Sequence, residues 1–313
     1  MNTRQYDYIL AVAELKNFSL AAEKCFISQS TLSTMIGRFE EEIGINIFDR
    51  KTKPVTITKE GEEIISHLKV IDEEISNLKY IAQSIKGEFV GNLKIGVIPT
   101  VAPYLLPEFL NDFVKKYPKM TFTVSEMTTE IIIDLLEKRE LDIGMLAIPI
   151  ENDNLLEIPL YNEPFVLYDC TENPQKQIGI LENIDFNKFW LLEDGHCLNT
   201  QVNTICDGQS CVVKEEVNFD FKVGSIESLK RFVKMNNGIT LLPFLACLDF
   251  SPKDRKNLVD FEEPIPVRTI GLVVHQHFRK NKLLQELKQQ IQEKINPLIK
   301  SDKNELVIHP LIP

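Results

Sequence analysis

The chain has 313 residues, 43% hydrophobic and 26% charged, with a formal net charge of −11, ordinary values for a folded protein of two or three domains. No run approaches the ~18 apolar residues of a membrane-spanning helix, and MNTRQYDYILAVAELKNF lacks a signal peptide's basic start and uninterrupted apolar core. Membrane and secreted classes are set aside, and the expectation is a cytoplasmic protein whose six cysteines rest as thiols. The acidic balance argues superficially against nucleic acid. It is uneven, however. Residues 1–60 hold eight Lys/Arg and eight Asp/Glu, while the other 27 basic and 38 acidic residues carry the surplus.

Residues 4–17 place Tyr8, Ile9, Val12 and Ala13 at helical spacing. Ser19 is expected to cap a second helix over Leu20–Cys25, and Ser28 a third running to about Ile43, with Leu32, Ile36 and Phe39 inward. Gly44 stands where a C-terminal glycine belongs. Two short helices joined by a tight turn predict a helix-turn-helix. The outward residues of its second helix, Gln29, Ser30, Thr31, Ser33, Thr34 and Arg38, suit phosphate and base-edge contacts. An ordinary solvated helix face explains the same residues. Gly37 is costly there, by about 1 kcal/mol against Ala.

Asp49–Thr58 alternates Val55 and Ile57 with Thr56 and Thr58 after a Lys-Pro turn, as a hairpin does. Thr58 then caps a long helix to about Lys86. Ile64, Leu68, Ile71, Ile75, Leu78, Ala82 and Ile85 keep a 4-3 repeat, a narrow stripe that calls for a second copy of the chain, packing onto its own domain being the alternative. Glycines at 87 and 91 bracket a hinge. Beyond it, Leu93–Ile98, Met120–Val124 and Leu141–Ala147 are apolar runs separated by helical segments at Tyr104–Lys116 and Thr129–Lys138. This alternation predicts a parallel α/β sheet. A second set of elements fills about 163–267, and Arg268–Val274 with the helix Lys280–Asn296 return to the first sheet. Ligands of such sheets sit at the carboxyl ends of strands, where Thr100 and Thr129 fall. Thr129 serves equally as a helix cap.

The stretch Gly195–Cys211 holds three of the six cysteines. Leu198, Val202 and Ile205 make Cys197–Cys206 a helix with one apolar stripe, putting Cys197 in its first turn. Unpaired N–H groups there favour a thiolate, which attacks peroxide and becomes a sulfenic acid that a second thiol condenses with. The plain alternative is a small buried hydrophobe. Cys206 lies nine residues on, roughly 13 Å along a helix and on its opposite face. A disulfide needs Cα atoms within about 7 Å, so joining the two sulfurs requires the helix to break. Cys170 and Cys247 are expected to be structural. His275 and His277 share one strand face, but no third ligand spacing supports a metal site.

Three groups of residues carry a family resemblance: Ala21-Ala22, Ser28-Gln29, Ser33, Ile36, Phe39-Glu40, Gly44, Phe48 and Arg50; LEDGHCLxxQ with a second cysteine nine residues after its first; and SIESLKRFVKMNNGITLLP at Ser225–Pro243. Together they resemble the peroxide-sensing branch of the LysR-type transcriptional regulators, from Met1 to about Asn296. The resemblance implies an α/β chain with a winged helix-turn-helix over 1–58 and a linker helix over 59–87. A two-lobed, periplasmic-binding-protein-like regulatory domain follows over 92–300, with lobe I at about 92–162 and 268–300 and lobe II at about 163–267. Residues 301–313 form a tail outside the resemblance.

It further implies a Cys197–Cys206 disulfide, a peroxide pocket of Thr100, Thr129, His196 and Arg268, and a DNA surface. That surface comprises Ser28, Gln29, Ser30, Thr31, Ser33, Thr34, Arg38, Arg50 and Lys53, with Lys51 beside them on the wing. The implied partners are a double-stranded DNA operator, a second copy of the chain in a dimer or tetramer, RNA polymerase, hydrogen peroxide and a cellular thiol reductant. The expected action is activation of antioxidant genes, with no cofactor, metal or enzymatic turnover. Asn199 and Thr200 depart from the Arg and Asp common at those positions. Two alternatives stay open: a LysR-type regulator of a small organic effector, and a thiol peroxidase or reductase.

Overall fold

The computed structural model describes residues 2–85, 89–172, 177–178, 188–193, 197–205, 223–299 and 304–310. His196, Cys206 and Cys211 lie outside the described residues. The chain divides into two compact units, Met1–Glu88 and Phe89–Pro313.

The first unit opens with helices α1 (Thr3–Leu15), α2 (Phe18–Lys24) and α3 (Gln29–Ile43). The cap of α2 corrects the reading from sequence. Asn17, not Ser19, accepts the N–H groups of Ser19 and Leu20, so the helix starts two residues earlier than expected. Asparagine competes well as a cap because its carbonyl reaches two donors from an extended backbone. Ser28 caps α3 through the Thr31 N–H at 3.1 Å. Gly44 ends that helix at φ 73°, a conformation glycine takes without strain. Strands β1 (Phe48–Asp49) and β2 (Thr56–Ile57) pair antiparallel as the expected wing. Helix α4 (Lys59–Ile85) is capped by the Thr58 hydroxyl on the Gly61 N–H.

The repeat on α4 is divided along its length. Ile64, Ile65 and Leu68 pack into the head's own core with Ile9, Val12, Leu32, Ile36 and Phe39. Further along, Leu78 and Ile85 are 67% and 81% exposed, with Ile71 and Ile81 also open. The uncovered stripe thus starts about two turns later than the 4-3 spacing suggests, because the first turns are spent on the head.

In the second unit, β3 (Gly91–Val97) pairs in parallel with β4 (Met120–Glu126) and β5 (Ile143–Ile148). Helices α5 (Ala102–Lys116) and α6 (Thr129–Glu137) are the crossovers. These match the predicted strand–helix alternation. Strand β6 (Leu155–Asp169) and β10 (Ile265–His275) are both long and pair antiparallel over most of their length. β10 also borders β5, antiparallel. The far end of β6 carries β8 (Ile239–Pro243) and β9 (Leu258–Phe261), and β9 pairs with β7 (Gln177–Ile178). Helix α8 (Ile226–Met235) precedes β8, while α9 (Asn281–Ile295) follows β10.

Two apolar clusters result. The first gathers β3, β5, α5 and α9 side chains such as Leu93, Ile95, Phe109, Phe113 and Leu287. The second gathers Phe165, Leu167, Phe189, Leu229, Val233 and Leu241. Strand β6 supplies Leu155 and Leu160 to one and Phe165 and Leu167 to the other, so a single extended segment runs from cluster to cluster.

Candidate functional site

Helix α7 (Cys197–Ile205) buries the stripe predicted for it: Leu198, Val202 and Ile205 belong to the second cluster. Cys197 does not. Its side chain packs into the first cluster. The first turn of α7 therefore straddles the two cores, and a change in the helix is felt by both.

Two of the predicted residues, Thr129 and Arg268, act on the Cys197 sulfur, and a third, Thr100, is held by Arg268. Thr129 stands at the first position of α6, whose cap is Thr128, and its buried hydroxyl acts to lower the pKa of the cysteine thiol. Arg268 is wholly buried on β10 and exerts an attractive charge on the sulfur. Its Nη1 donates to Thr100 Oγ1 at 3.0 Å, and its Nη2 to the Thr100 carbonyl at 3.1 Å. Thr100 follows β3 and is itself buried. Having accepted from arginine, the Thr100 hydroxyl keeps its own proton to offer.

The charge state of Cys197 is a correction. The sequence predicts a thiolate in the first turn. The helix does act in that direction, as do the Leu198 and Cys197 backbone N–H groups, Thr129 and Arg268. Burial outweighs them, and the thiol is pushed above its ordinary value. Burial thus favours the protonated thiol, while Arg268, Thr129 and the backbone N–H groups favour the charged form.

Sequence reading missed Glu163. Its Oε2 accepts from Arg268 Nε at 2.9 Å and Nη2 at 2.8 Å, while Oε1 accepts the Leu245 N–H at 2.9 Å. A buried guanidinium needs such a partner. The available signal was a carboxylate in the middle of the largely apolar run LYNEPFVL. Tyr161 is also buried close by, and burial with the Glu163 charge holds its hydroxyl well above the usual phenol range.

On the outer side of α7, the neutral replacements for the charged pair make local bonds. Asn203 Nδ2 donates to Asn199 Oδ1 at 3.3 Å, and the Thr204 hydroxyl to the Thr200 carbonyl at 3.0 Å. Cys170 and Cys247 are buried, the latter with its thiol pushed up to about 12 by burial, which makes it inert. His275 and His277 stack with ring centroids 5.2 Å apart, and the described residues hold no cluster fit for a metal ion.

In the first unit, Ser28, Gln29, Ser30, Thr31, Thr34, Arg38, Arg50 and Lys53 are exposed and Ser33 is half-buried. Several are already engaged. Arg50 donates to Glu40 at 2.7 Å and to Ser33 at 3.0 Å, lies over the Phe18 ring, and passes beside Gly37, where a Cβ would stand 3.8 Å from its Nη2. The Thr34 hydroxyl donates to the Ser30 carbonyl. Gln29, Arg38 and Lys53 are the members of the set with long, outward polar ends.

Known proteins share this architecture. Residues 3–62 match the bacterial regulatory helix-turn-helix protein, lysR family, and residues 86–296 match the LysR substrate binding domain. The chain is 33% identical over 275 residues to the DNA-binding transcriptional dual regulator OxyR of Escherichia coli K12, covering 87% of this chain and 89% of that one. Full-length OxyR from Pseudomonas aeruginosa, solved as a cysteine-to-aspartate variant, superposes with a TM-score of 0.73 at 28% identity over 93% of this chain and 98% of that one. A cysteine-to-serine variant of Corynebacterium glutamicum OxyR with hydrogen peroxide bound gives 0.58 at 26% identity, over 95% and 93%.

Proposed function

This chain belongs to the LysR family of bacterial transcriptional regulators, and from that premise we propose that it is a peroxide-responsive one, with Cys197 as the sensor and Cys206 as the resolving thiol. The observation that carries this reading is a buried Cys197 thiol on which Thr129 and Arg268 both act to favour the charged form, with Thr100 hydrogen-bonded to the guanidinium. Hydrogen peroxide is small, neutral, and both donor and acceptor. A pocket of two threonine hydroxyls and a guanidinium suits it better than a larger apolar effector.

The chemistry balances without an outside base. The Cys197 sulfur attacks one peroxide oxygen; the O–O bond breaks as the S–O bond forms. Sulfur is oxidised by two electrons, and the thiol proton leaves with the second oxygen as water. The Cys206 thiol then attacks the sulfenic sulfur, the S–O bond breaks, and a second water departs, leaving the disulfide. Arg268, already beside the sulfur, stabilises the negative charge that builds during the first step. His196 is assigned to the same pocket by its place next to Cys197. A cellular thiol reductant returns two electrons to reset the protein.

Residues 1–58 act as the DNA-binding head, α4 as the dimer seam, and the two lobes over 92–300 as the regulatory domain. Gln29 and Arg38 read base edges and phosphate, Lys53 and Arg50 hold the backbone, and the hydroxyls of Ser28, Ser30, Thr31, Ser33 and Thr34 fill the interface. The assembled dimer or tetramer activates transcription through RNA polymerase. No described helix is long and apolar enough to cross a membrane; a cytoplasmic site of action is part of the proposal. The test is operator footprinting with and without peroxide. Wild type changes its footprint and Cys197→Ser does not. A peroxide response that survives Cys197→Ser overturns the proposal, and a footprint moved only by a metabolite selects an organic effector.

A further inference from the structure

Residues 304–310 bind to the strand and helix that hold Arg268 and Cys197. Strand β11 (Glu305–Val307) adds in parallel to the start of β10, with Glu305, Leu306 and Val307 opposite Ile265, Pro266 and Val267. The Ile265 N–H donates to the Asn304 carbonyl at 2.8 Å, and the Ile308 N–H to the Val267 carbonyl at 2.7 Å. Asn162 Nδ2 on β6 fixes the Glu305 carboxylate at 2.8 Å. Ile308 is buried in the second cluster, beside the stripe of α7. Val267 immediately precedes Arg268, so this short segment is hydrogen-bonded to the strand that holds the guanidinium.

Its other end reaches the helix that holds the sulfur. Gln201 is wholly buried, and its Nε2 donates to the Ile308 carbonyl at 2.9 Å. Gln201 lies four residues after Cys197, hence on the same face of α7 one turn on. Its Oε1 has no partner among the described residues, so the tail carbonyl is the amide's one hydrogen-bonded anchor there. A buried amide that loses such a bond is disfavoured.

We propose that residues 304–310 are a latch and Gln201 a positioning residue. Together they tie α7 to the Arg268 strand, hold the Cys197 sulfur in register with the guanidinium, and stabilise the reduced state. A disulfide between Cys197 and Cys206 requires α7 to open. Opening withdraws Gln201 from Ile308, so the tail resists oxidation, and its grip sets how much peroxide is needed. The latch rests on the reading of Cys197 and Cys206 as the redox pair, but one of its consequences needs no oxidant.

The experiment compares the full chain, full-length Gln201→Met, a form ending at residue 303, and the two changes combined. Circular dichroism checks that each is folded. Gln201→Met keeps the side-chain volume, which guards against a misfolded truncation. In reduced protein, amide exchange across α7 should rise about tenfold in each variant, the equivalent of one net hydrogen bond. In a glutathione buffer the Cys197–Cys206 equilibrium should shift about tenfold toward disulfide, and the pH midpoint for Cys197 alkylation should move alkaline as the sulfur loses its alignment with Arg268. The combined variant should exceed neither single change, since both break one link. Unchanged α7 exchange and an unchanged equilibrium in both single variants overturn the latch, as do effects that multiply when combined. Failure of the full chain to form the disulfide overturns the sensing reading instead, and the exchange data still decide the latch.

Discussion

Arg268 and Glu163 are direct partners in the β6–β10 ladder, and the same two residues close a salt bridge of 2.8 Å with both side chains out of contact with solvent. The pair sits on the two strands shared by the cores, and its cationic end donates to Thr100 and acts electrostatically on Cys197. Glu163→Gln leaves the shape intact but strands a buried guanidinium. A loss of about 3–5 kcal/mol is expected, measured by urea unfolding of the reduced protein. Adding Arg268→Met should restore part of that stability while slowing peroxide oxidation of Cys197. A neutral effect of Glu163→Gln would mean the arginine charge is balanced elsewhere.

The raised Cys197 thiol gives a pH dependence of definite sign. Folding favours the protonated form, so the contribution of this group is full below the ordinary thiol pKa of about 8.5 and is lost as pH climbs through the raised value. Wild type should lose stability between neutral and alkaline pH more steeply than Cys197→Ala. Alkylation of Cys197 should be slow at neutral pH and climb well past the midpoint of a free thiol. Thr129→Val removes a bond that lowers the pKa and should push that midpoint higher still.

Gly61 permits the start of α4 to lie against the head. A Cβ there would stand 2.3 Å from the Ile47 carbonyl oxygen, a backbone atom that does not yield easily. Gly61→Ala should destabilise the first unit by about 1–3 kcal/mol and weaken operator binding. Thermal unfolding of residues 1–88 in the full chain, followed by gel shift, checks both.

Leu78 and Ile85 are the most open apolar side chains on α4. Charging them as Leu78→Glu with Ile85→Glu should halve the mass of the dimer seen by sedimentation without unfolding either unit. Operator affinity should fall with it, because a single head makes half the contacts. A protein that keeps its assembly despite both changes would place the seam elsewhere.

Within the head, Gln29→Ala should relax base preference, with about 1–3 kcal/mol lost at one position of the operator. Lys53→Ala should weaken all sequences alike and reduce the salt dependence of binding by roughly one counterion. Titrations at several salt concentrations on matched and mismatched operators separate the two.

Local patterning was enough to set several of the elements. Ser28 and Gly44 bracket α3, Thr58 starts α4, and the spacing of Leu198, Val202 and Ile205 draws the buried face of α7, because caps and helical periodicity act within a few residues. The specificity of the cysteine motif and of the Ser225–Pro243 segment pointed to the family. What needed the tertiary structure was everything that depends on burial and on distant partners. The first-turn position of Cys197 reads as a thiolate until the enclosing cores are known, since desolvation is set by residues far along the chain. Glu163 and Arg268 are 105 positions apart, and Gln201 and Ile308 are 107 apart. No sequence spacing reports such pairings, which exist only because β6, β10 and β11 lie side by side.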